Sequence, residues 1–356
     1  TARSTGSAMK PTPVFESYWR FAWERQSIYE RRLRAPAGPW SNDPILNTYR
    51  FTNAFRAADR VSQYLIAEVQ LGQDRPQSPR EVFFRTILFK LFNKIETWEF
   101  LERELGPIVS TDFDYEQTSQ LFDQLLAEGK RIYSAAYIIP APPFGHRRKH
   151  ANHLELLFRM MEARLPERLA QLPSLANVYE SLLEWPGLGR FLAFQFTIDL
   201  NYSSMLHFDE SDLVVAGPGA IDGIAKCFSE LDGMTPEQVI MHVHQNQEQL
   251  AGAYRLSPPS LFGRRLQPID CQNLFCEISK YARVAHPEIV GAANRTRIKQ
   301  KYHLDHEPIP YPTFPADWNL EMRVTAFLSA GASNRPDKST NRKVVSSGTS
   351  SCDVTP

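Results

Sequence analysis

The stretch from Glu184 to Leu200, EWPGLGRFLAFQFTIDL, constrains the fold more tightly than any other part of the chain. Pro186, Gly187 and Gly189 interrupt two apolar runs of helical periodicity, and one residue, Leu188, separates the glycines. Two helices must therefore meet here at a tight turn. Glycine lets such a turn bring its backbone close to a partner, and the helix that follows opens with unbonded amides that suit a phosphate. That is the logic of a helix-hairpin-helix grip on a nucleic-acid backbone, with Gly187, Gly189 and Arg190 as its contacts. An ordinary glycine turn between two packed helices is the alternative.

Helical periodicity extends well beyond this turn. From Phe15 to Leu105 apolar residues recur at helical spacing, and Leu88, Leu91, Phe92 and Ile95 fall on one face. Further helices are expected at Asn152 to Arg164, Ser174 to Glu184, Phe191 to Leu200, Pro236 to Tyr254 and Cys271 to Val284. Short β-branched runs are scarce, and Asp212 to Ala216 is a candidate for a minor strand. The proline-dense segment IIPAPPFGH (138–146) suits a separation between lobes. The expected organisation is a tag over 1–14, an N-terminal helical lobe over 15–143, a second lobe over 144–330 that carries the hairpin, and a disordered tail over 331–356. The tail is too poor in apolar residues to offset its ordering entropy.

Composition narrows the partners. With 356 residues, 42% of them hydrophobic, the chain can bury a core without disulfides or metal. Forty basic and forty acidic residues cancel, so a nucleic-acid contact must come from local patches. No apolar run approaches the roughly 18 residues that span a bilayer, so no membrane partner is expected. The four cysteines, Cys227, Cys271, Cys276 and Cys352, form no CxxC pair and suit free thiols in a reducing compartment. The histidine pairs His150/His153 and His242/His244 lack a third ligand at a recognisable spacing, so no metal and no cofactor are expected. The protein should be intracellular, and nuclear if its source is eukaryotic.

The hairpin segment resembles that of helix-hairpin-helix DNA glycosylases, which carry an aspartate shortly after the second hairpin helix. Here HFDESDLVV supplies Asp209 and Asp212, and either carboxylate suits charge stabilisation or activation of a nucleophile. The resemblance places a lyase lysine where this chain has Phe191, so Schiff-base chemistry is not expected. Downstream, AGPGAIDGIAKCF (216–228) sets Gly217 and Gly219 around Pro218 and opens a helix containing Lys226, a second candidate phosphate cradle. A plain proline-glycine turn is the alternative.

Longer motifs carry a wider resemblance. DLVVAGPGAIDGIAKCF (212–228), IDCQNLFCEISKYARV (269–284), WRFAWERQSIYERR (19–32), WSNDPIL (40–46) and YRFTNAFRAADRVSQYL (49–65) resemble the alpha-glutamyl/putrescinyl thymine pyrophosphorylase family. The same helical domain accompanies 5-hydroxymethyl-deoxyuridine DNA kinases. The match covers roughly Phe15 to Tyr302. It implies an all-α, glycosylase-like fold of two associated helical lobes that takes a flipped modified pyrimidine from DNA. It also implies a reaction in which an activated 5-hydroxymethyl pyrimidine loses its phosphoryl group while an amine or amino acid is attached. No GxxxxGK[ST] occurs, so an activating kinase, or an oxygenase, is expected as a separate partner.

Such a transfer needs cations for the phosphate, a carboxylate and a base pocket. Arg50, Arg56 and Arg60 are candidate cations, the last two at i, i+4 on one helix face, with Asn53 beside them; ion pairs with Asp59 or Glu24 are the alternative. In DCQNLFCEISKYAR, Gln272, Asn273, Glu277 and Lys280 put polar groups into an apolar helix and need partners, of which substrate is one. Cys276 shares a face with Lys280 and is either a nucleophile of depressed pKa or a core thiol. Two rivals remain open: a monofunctional glycosylase that excises a modified base, and a non-catalytic helical DNA-binding module.

Overall fold

A computed structural model describes residues 9–332 apart from 36, 73, 136–137 and 306. Residues 1–8 of the expected tag and 333–356 of the expected tail lie outside the described residues. The fold is mainly helical, with strands of two or three residues.

Helix starts follow a local code in which a short polar side chain caps free amides and proline fills the first turn. Thr12 caps α1 (Pro13–Arg34), Asp43 caps α2 (Pro44–Thr48), and α3 (Arg60–Tyr64) runs into a π-helical turn at Leu65–Gln70. Ser78 caps α4 (Pro79–Phe92), which is followed by α5 (Ile95–Leu105), α6 (Tyr115–Ala127), α7 (Lys149–Glu162) and α8 (Leu165–Leu169). The hairpin pair is α9 (Leu175–Leu183) and α10 (Arg190–Asn201). After them come α11 (Pro218–Cys227), α12 (Pro236–Gln245) with a Thr235/Gln238 capping box, α13 (Gln247–Gly252), α14 (Pro268–Ala285) and α15 (Glu321–Ala332). Two antiparallel ribbons, Lys10–Pro11 with Phe228–Glu230 and Ser260–Leu261 with Arg264–Arg265, complete the elements.

Three local expectations change. Leu88, Leu91, Phe92 and Ile95 do not share a helix: Asn93 turns left-handed at φ 50° and ends α4, and Ile95 opens α5. Helix α4 is buried on all sides from Glu81 to Phe92, so its apolar residues do not form a one-sided face. Asp212 to Ala216 forms no strand, and the helix expected over Pro236 to Tyr254 breaks at Asn246. Among the described residues no helix is long and apolar enough to cross a membrane.

The two main cores do not divide the chain at residue 143. One is built within residues 65–206, around α4, α7 and the α9–α10 pair, and both Ile139 and Leu154 belong to it. The other joins α1 and residues 46–58 to α11, α12 and α14, so the N-terminus is part of the C-terminal core. Aromatic contacts fix that union: Phe15 lies 4.5 Å from Phe228 and Tyr18 lies 4.7 Å from Phe275, centroid to centroid. A smaller cluster of Ala57, Ile66, Phe194, Ile198, Val215 and Ile269 lies between them. Helix α10 contributes to the first core and to the smaller cluster and is buried from Leu192 to Asn201. A fully buried carboxylate on it, Asp199, is met by Arg56 at 2.8 Å and Lys90 at 3.1 Å. Charges so far from water persist because they are paired.

Candidate functional site

The hairpin turn presents the most open backbone of the site. Gly187 adopts φ +85°, a left-handed conformation that glycine takes at no steric cost, and the methyl of any other residue would sit 3.0 Å from Pro142 Cγ. Gly189 then caps α10 with no side-chain hydrogen bond, and a methyl there would meet nothing within 4 Å. Arg190 follows, 71% exposed, with its guanidinium 3.3 Å from Glu237.

Glu237 ties this end to a second one. Its carboxylate also accepts the amide of Ala216 at 3.2 Å, just ahead of Gly217, which caps α11 without a side-chain hydrogen bond. The Phe191 ring fills the space where a Gly217 side chain would project, at 2.8 Å. The N-termini of α10 and α11 thus lie side by side, with Arg190 next to both.

The glycines of GPGAIDG answer to packing. A methyl on Gly219 would collide with Cys276 Sγ, and one on Gly223 with the backbone of Phe275. Interior helical glycine costs roughly 0.5–1 kcal/mol relative to alanine, and here it lets α11 and α14 come into backbone contact. Lys226 sits on the inner side of α11, 2% exposed, with its ammonium 2.8 Å from the Ser279 carbonyl and 3.3 Å from Asp222. The structure therefore turns Lys226 away from any external phosphate.

Helix α14 carries a polar stripe beside these N-termini. Gln272 is buried, its amide nitrogen lies near Gly217, and its Oε1 has no hydrogen-bond partner among the described residues. Asn273 and Cys276 follow, half-buried, and then Glu277 and Lys280, paired at 2.8 Å. Glu277 also accepts the Thr52 amide at 3.1 Å, and the Lys280 ammonium lies 4.6 Å from the Phe51 ring. Burial pushes the Cys276 thiol up to about 12, outweighing Lys280, so the depressed thiol pKa expected from this pair does not arise.

The other basic candidates scatter. Arg56 lies in a 3-10 turn (Arg56–Ala58) and Arg60 begins α3, so they do not share a helix face. Arg56 is 5% exposed and committed to Asp199 and Gln195, whereas Arg60 faces solvent 3.8 Å from Glu96. Arg50 is exposed, and its amide bonds the Gln300 carbonyl at 3.1 Å. Asn53 spends its side chain on Arg25 (2.7 Å) and the Ala58 carbonyl (2.6 Å), which shapes the loop beside Glu277.

Of the three acids in HFDESDLVV, the one that sequence reasoning passed over is buried. Glu210 is 3% exposed and bonded to Arg264 at 2.7 Å; burial pushes its carboxyl up to about 7, against the pull of Arg264. Asp209 and Asp212 are exposed. Asp209 accepts the Ser211 amide at 2.8 Å, and Ser211's backbone and side chain hold it below the usual carboxylate range. Asp209 and Glu210 line an open pocket of about 520 Å³ with His244, Arg264, Arg265, Gln267, Asp317 and Trp318; Asp212 does not. Arg264 lies 54 positions away in sequence, and no local pattern pairs it with Glu210.

Comparison with known proteins accounts for this helical framework. A family model described as 5-hmdU DNA kinase, helical domain, matches residues 12–291. The chain belongs to this family. Among curated proteins, the 5-hmdU DNA kinase of Bacillus phage SP10 is 25% identical over 323 residues, covering 84% of this chain and 50% of the relative. The chain thus spans about half the length of the curated relative it matches. No solved structure matches. The membership agrees with the helical domain of 5-hydroxymethyl-deoxyuridine DNA kinases that the motifs at 19–65, 212–228 and 269–284 resemble.

Proposed function

We propose that this chain binds DNA and modifies 5-hydroxymethyluracil within it, through the strip that runs from the α10 N-terminus across the α11 N-terminus to the α14 stripe. The observation that carries this reading is the pairing of two uncapped helix N-termini through Glu237, with exposed Arg190 beside them. Adjacent N-termini and a cation favour phosphate, as a helix-hairpin-helix grip requires. Gly187 and Gly189 keep that backbone reachable, and Gln272, Asn273, Glu277 and Lys280 offer hydrogen-bonding groups to the edge of an extruded base.

In the finer reading, the chain attaches an amine or amino acid to a phosphorylated 5-hydroxymethyl pyrimidine. The amine nitrogen forms a bond to the 5-methylene carbon, the carbon–oxygen bond to the phosphoryl group breaks, and the phosphate leaves toward the helix N-termini and Arg190. The amine's proton passes to a carboxylate, for which Asp209 is the exposed candidate in the adjoining pocket. The kinase activity in the relative's name is not carried over, since half of that protein lies outside the match and this chain contains no GxxxxGK[ST].

The test is incubation with duplexes carrying 5-hydroxymethyluracil, its phosphorylated form or 5-hydroxymethylcytosine, with candidate amines, followed by nucleoside mass spectrometry. A new base mass in an intact strand is expected. Free base or abasic sites would replace transfer by glycosylase chemistry. Unaltered DNA that is nonetheless bound would reduce the chain to a binding module.

A further inference from the structure

Beyond α14 the chain turns back as an arm that carries one sign of charge. Residues 289–304, IVGAANRTRIKQKYHL, hold Arg295, Arg297, Lys299 and Lys301 at every second position and contain no acid. Neither helix nor turn interrupts 294–300, and Ile298 is buried in the C-terminal core while Arg295, Arg297 and Lys299 are exposed around it. The buried isoleucine anchors the arm with its cations outward.

Hydrogen bonds to three segments fix the arm's course. At its start the Ala293 amide donates to Asp222 of α11 at 2.7 Å, and midway Arg283 Nη1 of α14 donates to the Arg297 carbonyl at 3.1 Å. At its end the Arg50 amide donates to the Gln300 carbonyl at 3.1 Å and the Tyr302 amide to the Thr48 carbonyl at 3.0 Å. The arm thus starts beside α11 and finishes beside the loop whose Thr52 amide meets Glu277, so it flanks the strip proposed to face DNA.

Its cations are also uncommitted. Elsewhere on the surface Arg20, Arg103, Lys130, Arg148 and Arg159 each lie within 3.1 Å of a carboxylate. Among the described residues no carboxylate lies at ion-pair distance from Arg295, Arg297, Lys299 or Lys301, and Lys301 rests on the Tyr49 ring at 4.3 Å. The nearest acids are spent: Asp222 on Lys226 and Glu277 on Lys280. Exposed Arg50 adds its charge to the same edge. In a chain of zero net charge, such a row of like charges is matched by a polyanion.

We infer that this arm is a second track for the DNA backbone, on which Arg295, Arg297 and Lys299 hold phosphates of the duplex that flanks the base presented at the strip. The inference rests on the proposed function for the identity of the polyanion. DNA fits better than an acidic peptide or a membrane because the arm runs beside the two uncapped helix N-termini. Its cations also recur about every 6.6 Å of extended chain, close to two axial steps of a nucleic-acid strand. The family match ends at residue 291, so the arm lies outside the helical domain that it describes.

Anisotropy titrations of a labelled duplex across a salt series test the track. Arg295→Ala/Arg297→Ala/Lys299→Ala is expected to bind about tenfold or more weakly at low salt, and its slope of log K against log salt to shrink by about one per cation removed. Lys299→Ala alone should shrink the slope by about one. The control Arg103→Ala/Lys130→Ala/Arg159→Ala removes equal charge from paired positions and should leave affinity and slope unchanged. Since the replaced side chains are exposed and Ile298 and Arg283 are kept, the arm variants should unfold at the wild-type temperature. Wild-type affinity and slope in the arm variants, or an equal loss in the control, would overturn the inference. Arm-dependent binding of phosphatidylserine vesicles or polyglutamate that is tighter than binding of the duplex would also overturn it. Normal DNA binding by the arm variants would leave the proposed function standing; arm-dependent binding without a new base mass would leave the track standing.

Discussion

Two glycine turns that look alike as sequence, GLGR at 187–190 and GPGAIDG at 217–223, do opposite things in the folded chain. Around Gly189 there is open space, and the backbone that glycine leaves bare faces outward. Around Gly217, Gly219 and Gly223 the space is occupied by Phe191, Cys276 and Phe275, so the missing side chains are replaced by protein. The first turn leaves Gly189 open while Gly187 packs on Pro142; the second joins α11 to α14 and leaves only its N-terminal end uncovered. A glycine-rich turn before a helix is thus evidence of close approach, and the tertiary structure says whether the approaching group is a ligand or another helix.

Substitutions can break this contrast. The largest effect is expected for Gly223→Ala, whose methyl meets the Phe275 backbone, an atom set that cannot rotate away; destabilisation of about 3 kcal/mol or more should show in denaturant unfolding. Gly219→Ala meets a side chain, Cys276 Sγ, so about 1–3 kcal/mol is expected, largely recovered in the Gly219→Ala/Cys276→Ala double variant. A lack of recovery would mean the helices are held apart by something other than that sulfur. Gly187→Ala should cost about 1–2 kcal/mol through its left-handed backbone.

The smallest stability effect, under about 1 kcal/mol, is expected for Gly189→Ala, which has room and an ordinary φ of −73°. The same variant sharpens the comparison from the functional side. It should weaken DNA binding about tenfold, or ~1.4 kcal/mol, in a filter or anisotropy titration at fixed salt, because the added methyl fills backbone that a phosphate would approach. Unchanged DNA affinity in Gly189→Ala would make this turn a packing turn like the other.

The placement of several candidate residues was legible from their spacing. Gln272, Asn273, Glu277 and Lys280 fall on a partly buried stripe of one helix, as their spacing within an apolar run requires, and Gly187, Gly189 and Arg190 stand at an open hairpin. Less legible was the fate of isolated charges. Arg56 and Lys226 look like phosphate ligands beside neighbours of similar composition, yet each is neutralised inside, one by Asp199 and the other by Asp222. A cation's availability depends on which distant acid the fold places against it, and sequence spacing carries no such information.

The sequence by itself determined where several helices begin, because capping by Thr12, Asp43, Ser78 and Ser174 and proline in the first turn act within a few residues. It also determined the hairpin and the family. Only the tertiary structure decided that α1 closes the core of α11 and α14, that Glu210 and not its neighbouring aspartates is buried, and that His244 opens on the same pocket as Asp209 and Asp317. Those outcomes depend on contacts between segments tens to hundreds of residues apart. Burial, which sets the cost of a charge and the reach of a hydrogen bond, is a property of the assembled chain.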